Sequence, residues 1–245
     1  MRISLHEWDG SRLSRQRVRE LGPDEVQVWF ASAPAGDGAL AAFGWVLDPE
    51  EQARAARFRV AGACREFVFA RGLLRQILGE YLAVAPQEVG FGFAAHGKPF
   101  LVRPAANGGL QFNLSHSESH VAIALTRGRQ VGVDIESVQR LEDWRLLAER
   151  VFLPAEIRHI MALPEAEQRL AFLRGWTGKE AYLKATGEGL LDELAQIQVS
   201  LLPDEPPRLL ALPSGPDAVK RWTLHALPVP AGLVGALVVE ASQTP

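Results

Sequence analysis

The same order of predicted elements, a strand followed by helices and then by further strands, occurs twice along this chain. Strands are predicted where apolar residues alternate, and helices where they recur every three or four residues. The first half contains, in order, VQVWF, LDPEEQARAARFRV, CREFVFARGLLRQILGEYL, VGFGF, QFNLS and VAIALT. The second half contains QVGVDIE, LEDWRLLAERVF with LPAEIRHIMAL, EAEQRLAFLRGWTGKEAYLKAT, IQVSL, RWTLHAL and LVGALVVEA. This order predicts an α+β fold with two similar subdomains, residues 1–127 and 128–245, packed as one body.

Composition argues against several classes of protein. Of the 245 residues, 47% are hydrophobic and 22% are charged, so we expect a full hydrophobic core. A net charge of -3 argues against a nucleic-acid binder, and a single cysteine, Cys64, argues against disulfides and a multi-cysteine metal site. No apolar run approaches the ~20 residues of a membrane span, and the N-terminus lacks a secretory signal. We therefore expect a soluble cytoplasmic protein with no membrane partner. The proline-rich LLPDEPPRLLALPSGPD is predicted to be a surface excursion.

The stretch QVGVDIES places two carboxylates on one face of a strand. Gly132, Asp134 and Glu136 alternate with valine and isoleucine, so the three share a face. Neighbouring carboxylates repel each other, and a hard cation such as Mg²⁺ would relieve that repulsion. Gly132 leaves room for another group to approach. The alternative is a strand whose polar face meets water.

The stretch WTGKEAYLKATGEGL predicts a helix that carries a glutamate on a mostly apolar stripe. Glu180 needs a metal ion, a lysine or both if that stripe is buried. The alternative is an exposed Glu180–Lys184 pair that contributes a few tenths of a kcal/mol. Gly187 and Gly189 are expected to end the helix. The stripe consists of Leu173, Trp176, Thr177, Glu180, Ala181 and Lys184.

Two further groups of residues are suited to phosphate oxygens. In FNLSHSESH, the side chains of Asn113, Ser115 and His116 offer an amide, a hydroxyl and an imidazole. Upstream, Lys98 lies in a Gly-Lys-Pro turn that is expected to present its ammonium outward. Six arginines and one acid occur between Arg54 and Arg75, which favours an anionic ligand. The alternative is a solvated helix face.

Taken together, these motifs resemble those of the Sfp-type 4′-phosphopantetheinyl transferases. GVDIE is followed by WTGKEAYLKATGEGL, and FNLSHS and the GKP turn lie upstream. The resemblance implies a pseudo-dimeric α+β fold with coenzyme A in the cleft between its halves. Enzymes of this family transfer the phosphopantetheine arm of coenzyme A to a serine of an apo carrier protein and release 3′,5′-ADP. The implied cofactor is Mg²⁺, with coenzyme A as the co-substrate.

The resemblance also assigns roles by position. Glu180 would take the serine proton, bind the metal, or do both. In this family two basic residues often lie three apart before an Arg-Phe pair, but here Glu51 occupies one of these positions. Arg71 is a further candidate for the phosphate clamp. The implied catalytic residues are Glu180, Lys184 and Asp134; the metal ligands are Asp134, Glu136 and Glu180; and the coenzyme A ligands are Arg54, Lys98, Asn113, Ser115, His116 and Lys184.

The implied partner is an acidic acyl or peptidyl carrier protein, and we expect this chain to be a monomer. The carrier is expected to dock on the second half, where basic and apolar residues alternate in SVQRLEDWRLLAERVFLPAEIRHIM. An ordinary amphipathic helix would show the same pattern. Two other functions stay open, a Mg²⁺-dependent nucleotide phosphohydrolase and a non-catalytic coenzyme A-binding protein. The docking residues would be Arg140, Arg145, Arg150 and Arg158 with Trp144, Leu147 and Phe152.

Overall fold

The computed structural model describes residues 1–9, 21–104, 108–139, 143–188, 191–202 and 204–242. Within them the chain divides into two compact units. The first unit comprises Met1–Phe93 and Pro99–Gly128, and the second comprises Ala94–Lys98 and Arg129–Pro245. The turn that holds Lys98 therefore groups with the second unit.

A mixed four-stranded sheet and a long helix form the first unit. The sheet has the order β1-β2-β6-β5, in which β1 and β2 are parallel and the other neighbours are antiparallel. Helix α3 packs its apolar side against β2, β5 and β6. The remaining strands, β3 and β4, form a hairpin. The elements are β1 (Arg2–Glu7), β2 (Glu25–Ser32), α1 (Asp37–Trp45), α2 (Pro49–Ala55), α3 (Ala61–Leu82), a 3₁₀ turn (Pro86–Glu88), β3 (Gly90–Phe93), β4 (Pro99–Arg103), β5 (Leu110–Ser117) and β6 (His120–Arg127).

A three-stranded antiparallel sheet and a second long helix form the second unit. The sheet has the order β10-β11-β7. Helix α6 packs against β7 and β11 through alanines and leucines of one core cluster, and α4 and α5 cover another side of α6. The elements are β7 (Val131–Ser137), α4 (Trp144–Val151), α5 (Pro154–Met161), α6 (Glu165–Thr186), a 3₁₀ helix (Leu191–Gln196), β8 (Gln198–Val199), β9 (Leu209–Ala211), α7 (Pro216–Val219), β10 (Trp222–Ala226) and β11 (Leu233–Glu240).

The boundaries of three helices follow from local chemistry. Helix α2 begins after Asp48, whose side chain accepts a hydrogen bond from Glu51 N while Glu51 accepts one from Asp48 N. Helix α5 is separate from α4 because Pro154 begins a new helix and Glu156 caps it through Leu153 N. Helix α6 ends at Gly187, which has a positive φ of 79°. Gly189 lies outside the described residues.

The α+β fold class is confirmed, but the expected surface excursion is wrong in part. Leu209 and Leu212 are buried, and β9 pairs with β8. After its prolines, the segment carries a short alternating apolar run that reaches the core. The strand β1 and the helix α1 were not predicted from the sequence. Within the described ranges, no helix is both long and apolar enough to cross a bilayer.

Candidate functional site

Strand β7 and helix α6 approach each other closely at Gly132. A Cβ atom added to Gly132 would lie 2.0 Å from Ala181 O and 2.4 Å from Ala185 N. This contact therefore requires glycine at position 132, because the backbone of α6 occupies the space that a side chain would take. The face of β7 that carries Asp134 is covered, and Asp134 is only 3% exposed. The alternative of a polar strand face that meets water is wrong for Asp134.

An ion pair joins β7 and α6 at Asp134, two residues beyond Gly132. The Lys184 ammonium on α6 donates to Asp134 Oδ1 at 2.6 Å. The Asp134 side chain is buried, whereas 29% of the Lys184 side chain is exposed. A charge-assisted hydrogen bond of this kind is stronger than a neutral one. It joins α6 to β7 on the side of the helix that carries Glu180.

Glu180 lies half-buried on the same side of α6. Burial raises the pKa of Glu180, and the negative charges of Asp134 and Glu136 raise it further, whereas Lys184 opposes the shift. Asp134 and Glu136 are therefore close enough to Glu180 to influence its charge. An exposed Glu180 far from Asp134, as the surface-pair alternative requires, is not what the structure shows.

The carboxylates form an open set of ligands for a cation. Among the side chains that the structure describes, no three from His, Cys, Asp or Glu converge closely enough to enclose a metal ion by themselves. Mg²⁺ does not require such a cage, because it commonly binds through one or two protein carboxylates together with waters and phosphate oxygens. Oxygen donors that repel one another, here Asp134, Glu180 and Glu136, fit that chemistry.

Lys98 does not extend outward as expected from its turn. Its Nζ donates to Ala185 O at 2.6 Å and to Gln130 Oε1 at 3.0 Å. Burial lowers the pKa of Lys98 to about 8, although the charge of Glu240 opposes the shift. Its stem packs over Gly187, where an added Cβ would lie 3.3 Å from Lys98 Cδ. The ammonium therefore lies at the C-terminal end of α6.

The three expected ligands on β5 do not converge on one pocket. Asn113 and Ser115 are buried and lie on one face of the strand, whereas His116 lies on the other face and is exposed. The His116 imidazole faces α3, with Nδ1 at 3.8 Å from Glu66 Oε2. Asn113 and Ser115 therefore lie on the strand face opposite to His116, because consecutive strand residues point in opposite directions.

Arg54 and the arginines of α3 have different surroundings. Arg54 is exposed on α2, with its guanidinium 5.1 Å from the centre of the Phe67 ring. Arg71, by contrast, donates to Glu51 Oε1 at 2.7 Å, and Arg75 donates to Glu51 Oε2 at 2.5 Å. The acid at the unusual clamp position thus neutralises two arginines. These two arginines do not lie on a solvated helix face, which was the alternative, and their guanidinium groups are not exposed to a ligand.

One buried pair in the second unit was not anticipated. Lys179 is fully buried and its Nζ donates to Glu156 Oε2 at 2.9 Å. The pattern Leu-Pro-Ala-Glu signals a helix that starts at Pro154 and is capped by Glu156 in its first turn. No sequence pattern indicates that the same carboxylate also accepts from a lysine 23 residues later. A lysine within an otherwise apolar face was the available clue.

Helices α4 and α5 enclose a shallow cavity of about 190 Å³. Its lining is mainly apolar with charge at the rim, and Leu146 and Met161 beside it are 66% and 46% exposed. Arg145 lies over the Trp144 ring at 4.6 Å and donates to Gln168. Arg140 lies outside the described residues. The lining residues are Trp144, Arg145, Ala148, Glu149, Ile157, Ile160 and Met161.

Known proteins resemble both halves of the chain. A profile of the 4′-phosphopantetheinyl transferase superfamily matches residues 130–238, and a profile of a 4′-phosphopantetheinyl transferase N-terminal region matches residues 34–127. The 4′-phosphopantetheinyl transferase HetI of Nostoc sp. is 39% identical over 216 residues, 88% of each chain. The 4′-phosphopantetheinyl transferase psf-1 of Bacillus pumilus is 32% identical over 155 residues, 63% of this chain and 64% of that one. A crystal structure of Helicobacter pylori holo-[acyl-carrier-protein] synthase in complex with coenzyme A covers 45% of this chain and 99% of that one, with 25% identity and a TM-score of 0.35.

Proposed function

Because the chain belongs to the 4′-phosphopantetheinyl transferase family, we propose that it moves the phosphopantetheine arm of coenzyme A onto a serine hydroxyl of an apo acyl or peptidyl carrier protein. It is an enzyme, a holo-carrier-protein synthase. The observation that carries the assignment of its residues is the group formed by Asp134, Glu180 and Lys184 on β7 and α6. The cytoplasmic location and the monomeric state stay predictions.

The proposed reaction is a displacement at the phosphorus atom that bears the pantetheine. A bond forms between the serine oxygen and this phosphorus, and the bond from the phosphorus to the bridging oxygen of 3′,5′-ADP breaks. The serine proton passes to the Glu180 carboxylate. A raised pKa suits this role, because a base works best when its pKa lies nearer the working pH. The Lys184 ammonium, partly exposed, stabilises the negative charge on the departing 3′,5′-ADP.

Mg²⁺ is proposed as the cofactor on the chemistry of the donor set. Asp134 and Glu180 would hold it together with phosphate oxygens. Glu136, the expected third ligand, lies on the same strand face but does not converge with them into a three-carboxylate site. When bound, Mg²⁺ supplies positive charge to the phosphate oxygens and polarises them. The two roles of Glu180 compete, since a carboxylate that binds a metal is a weaker base.

Contacts with coenzyme A are proposed for each unit separately. Lys98 offers an ammonium at the C-terminal end of α6, and its acceptors are a carbonyl and an amide oxygen that a phosphate can replace. Arg54 and His116 offer exposed positive or donor groups in the first unit. For Asn113 and Ser115 we propose contacts separate from those of His116, because they lie on the opposite strand face.

Release of 3′,5′-ADP distinguishes this function from a phosphohydrolase. The protein is incubated with coenzyme A and Mg²⁺, either alone, with apo carrier, or with a carrier whose modified serine is alanine. A transferase releases 3′,5′-ADP only with the apo carrier. Release at full rate without a carrier would assign a hydrolase, and binding of coenzyme A with no release in any mixture would assign a non-catalytic binder.

A further inference from the structure

Lys179 is adjacent to Glu180 in the sequence, yet it faces another part of the second unit. Besides Glu156, its Nζ donates to Val151 O at 2.9 Å and lies 4.1 Å from the centre of the Phe152 ring. Val151 ends α4, and Glu156 lies in the first turn of α5. One ammonium thus binds the last residue of α4, the following aromatic ring and the first turn of α5. We call residues 151–156 the α4–α5 corner.

The surface of α6 is shaped to receive this corner. An added Cβ at Gly175 would lie 2.5 Å from Phe152 Cε1, so the ring lies directly on the helix backbone. The Phe172 ring packs against the Phe152 ring with their centres 5.5 Å apart. Phe172, Gly175 and Lys179 are spaced three and four residues apart and therefore line one face of α6. That face of α6 packs against the α4–α5 corner, whereas Asp134 pairs with Lys184 on a different face of the helix.

The contacts of Lys179 are directional, unlike the apolar packing around them. An apolar side chain would fill the same space without fixing the direction of the corner, because hydrophobic contacts have no preferred direction. A buried hydrogen-bonded pair has a defined geometry, but removing one partner leaves an uncompensated charge.

We propose that Lys179 is a positioning residue, which holds the α4–α5 pair at a fixed place relative to Glu180 and so aligns the docked carrier with the base. The inference rests on the proposed function and on carrier docking at α4 and α5. Lys179 does not touch the reacting groups. Its loss would therefore disturb the docked carrier and leave coenzyme A binding intact, since Lys184 lies on a different face of α6 and Lys98 contacts only the C-terminal end of this helix.

Two variants separate positioning from folding. Glu156→Gln keeps an oxygen that can accept from Leu153 N, so the start of α5 survives while the ion pair is lost. The double variant K179M/E156L replaces the pair with apolar side chains, which proteins often tolerate without loss of stability. It also removes the cap on Leu153 N, so Glu156→Gln is the variant that isolates the ion pair. Lys220→Met is the matched control, because Lys220 forms an exposed pair with Asp217. Thermal unfolding confirms that each variant is folded.

The readouts are the KM for carrier, the KM for coenzyme A, and the affinity for a carrier with alanine in place of its modified serine. In Glu156→Gln and K179M/E156L, we expect a roughly tenfold or larger rise in the carrier KM and in the dissociation constant of the alanine carrier, with the coenzyme A KM within about twofold. Unchanged carrier parameters in a folded variant, or equal rises for both substrates, would overturn the inference. Wild-type protein that modifies no carrier in the same assay would instead overturn the proposed function.

Discussion

Lys184 Nζ lies 2.6 Å from Asp134 Oδ1, so helix α6 and strand β7 are joined by an ion pair as well as by apolar packing. The pair stands beside Glu180, whose pKa is raised by burial and by its carboxylate neighbours. Close packing at Gly132 brings the two elements near enough for this contact. The chemistry of the site therefore depends on how tightly one helix lies on one strand.

Lys184→Met tests the lysine in this pair. The variant removes the ammonium that is proposed to stabilise departing 3′,5′-ADP. Turnover should fall by about 100-fold or more, because one donor to developing charge is commonly worth that much. Stopped-time assays of holo-carrier formation measure the effect. Circular dichroism that matches the wild type would show that the loss is not unfolding, and turnover within threefold of wild type would contradict the assignment.

Glu180→Gln should separate activity from stability. Turnover should fall by orders of magnitude, since the amide cannot take the serine proton. Because the folded-state pKa of Glu180 is raised, the folded protein binds more protons than the unfolded chain above pH 4.5, and stability is lost as pH rises through the folded pKa. Glu180→Gln lacks this pH-dependent loss of stability, because glutamine does not titrate.

Urea unfolding of the ligand-free protein at pH 5 and pH 7.5 measures the difference. Relative to wild type, Glu180→Gln should be more stable at the higher pH than at the lower one. A difference in stability that does not depend on pH would show that Glu180 titrates as an ordinary exposed carboxyl group.

Gly132→Ala should push α6 away from β7. Its Cβ would lie 2.0 Å from Ala181 O, and backbone atoms cannot move aside cheaply. We expect a loss of about 3 kcal/mol in the free energy of unfolding, together with loss of turnover. Gly178→Ala on the same helix is the control, because its Cβ would come no closer than 3.4 Å to Leu224 Cδ2. That variant should be neutral or stabilised by about 0.5 kcal/mol. Equal destabilisation by both changes would contradict close packing as the cause.

The pKa of Lys98, about 8, predicts a pH effect of definite sign. An unfolded lysine titrates near 10.5, so the unfolded chain binds more protons between pH 8 and 10.5, and wild type should gain stability across that window relative to Lys98→Met. Coenzyme A affinity should move the other way, since the neutral amine no longer attracts phosphate. Calorimetric titration with coenzyme A from pH 7 to pH 9.5 should show a steeper loss for wild type than for the variant.

How far the sequence predicts this molecule depends on how local each signal is. The helix that carries Glu180 and the strand that carries Asp134 are predictable, because their periodicity and end signals lie within a few residues of each other. The Lys179–Glu156 pair is not, since it joins residues 23 apart with no periodic relation. The position of Lys98 is not predictable for the same reason. Its turn predicts an exposed side chain, but its ammonium donates a hydrogen bond to Ala185 O, which is distant in the sequence.

Intact mass of an apo carrier protein after incubation with this enzyme, coenzyme A and Mg²⁺ tests the central claim most directly. Acyl and peptidyl carriers are tried in parallel, each with its serine-to-alanine variant. We predict that at least one carrier gains the mass of a single phosphopantetheine arm on its serine and that an equal amount of 3′,5′-ADP appears. No mass gain across carriers of both kinds, with the protein folded and coenzyme A intact, would contradict it.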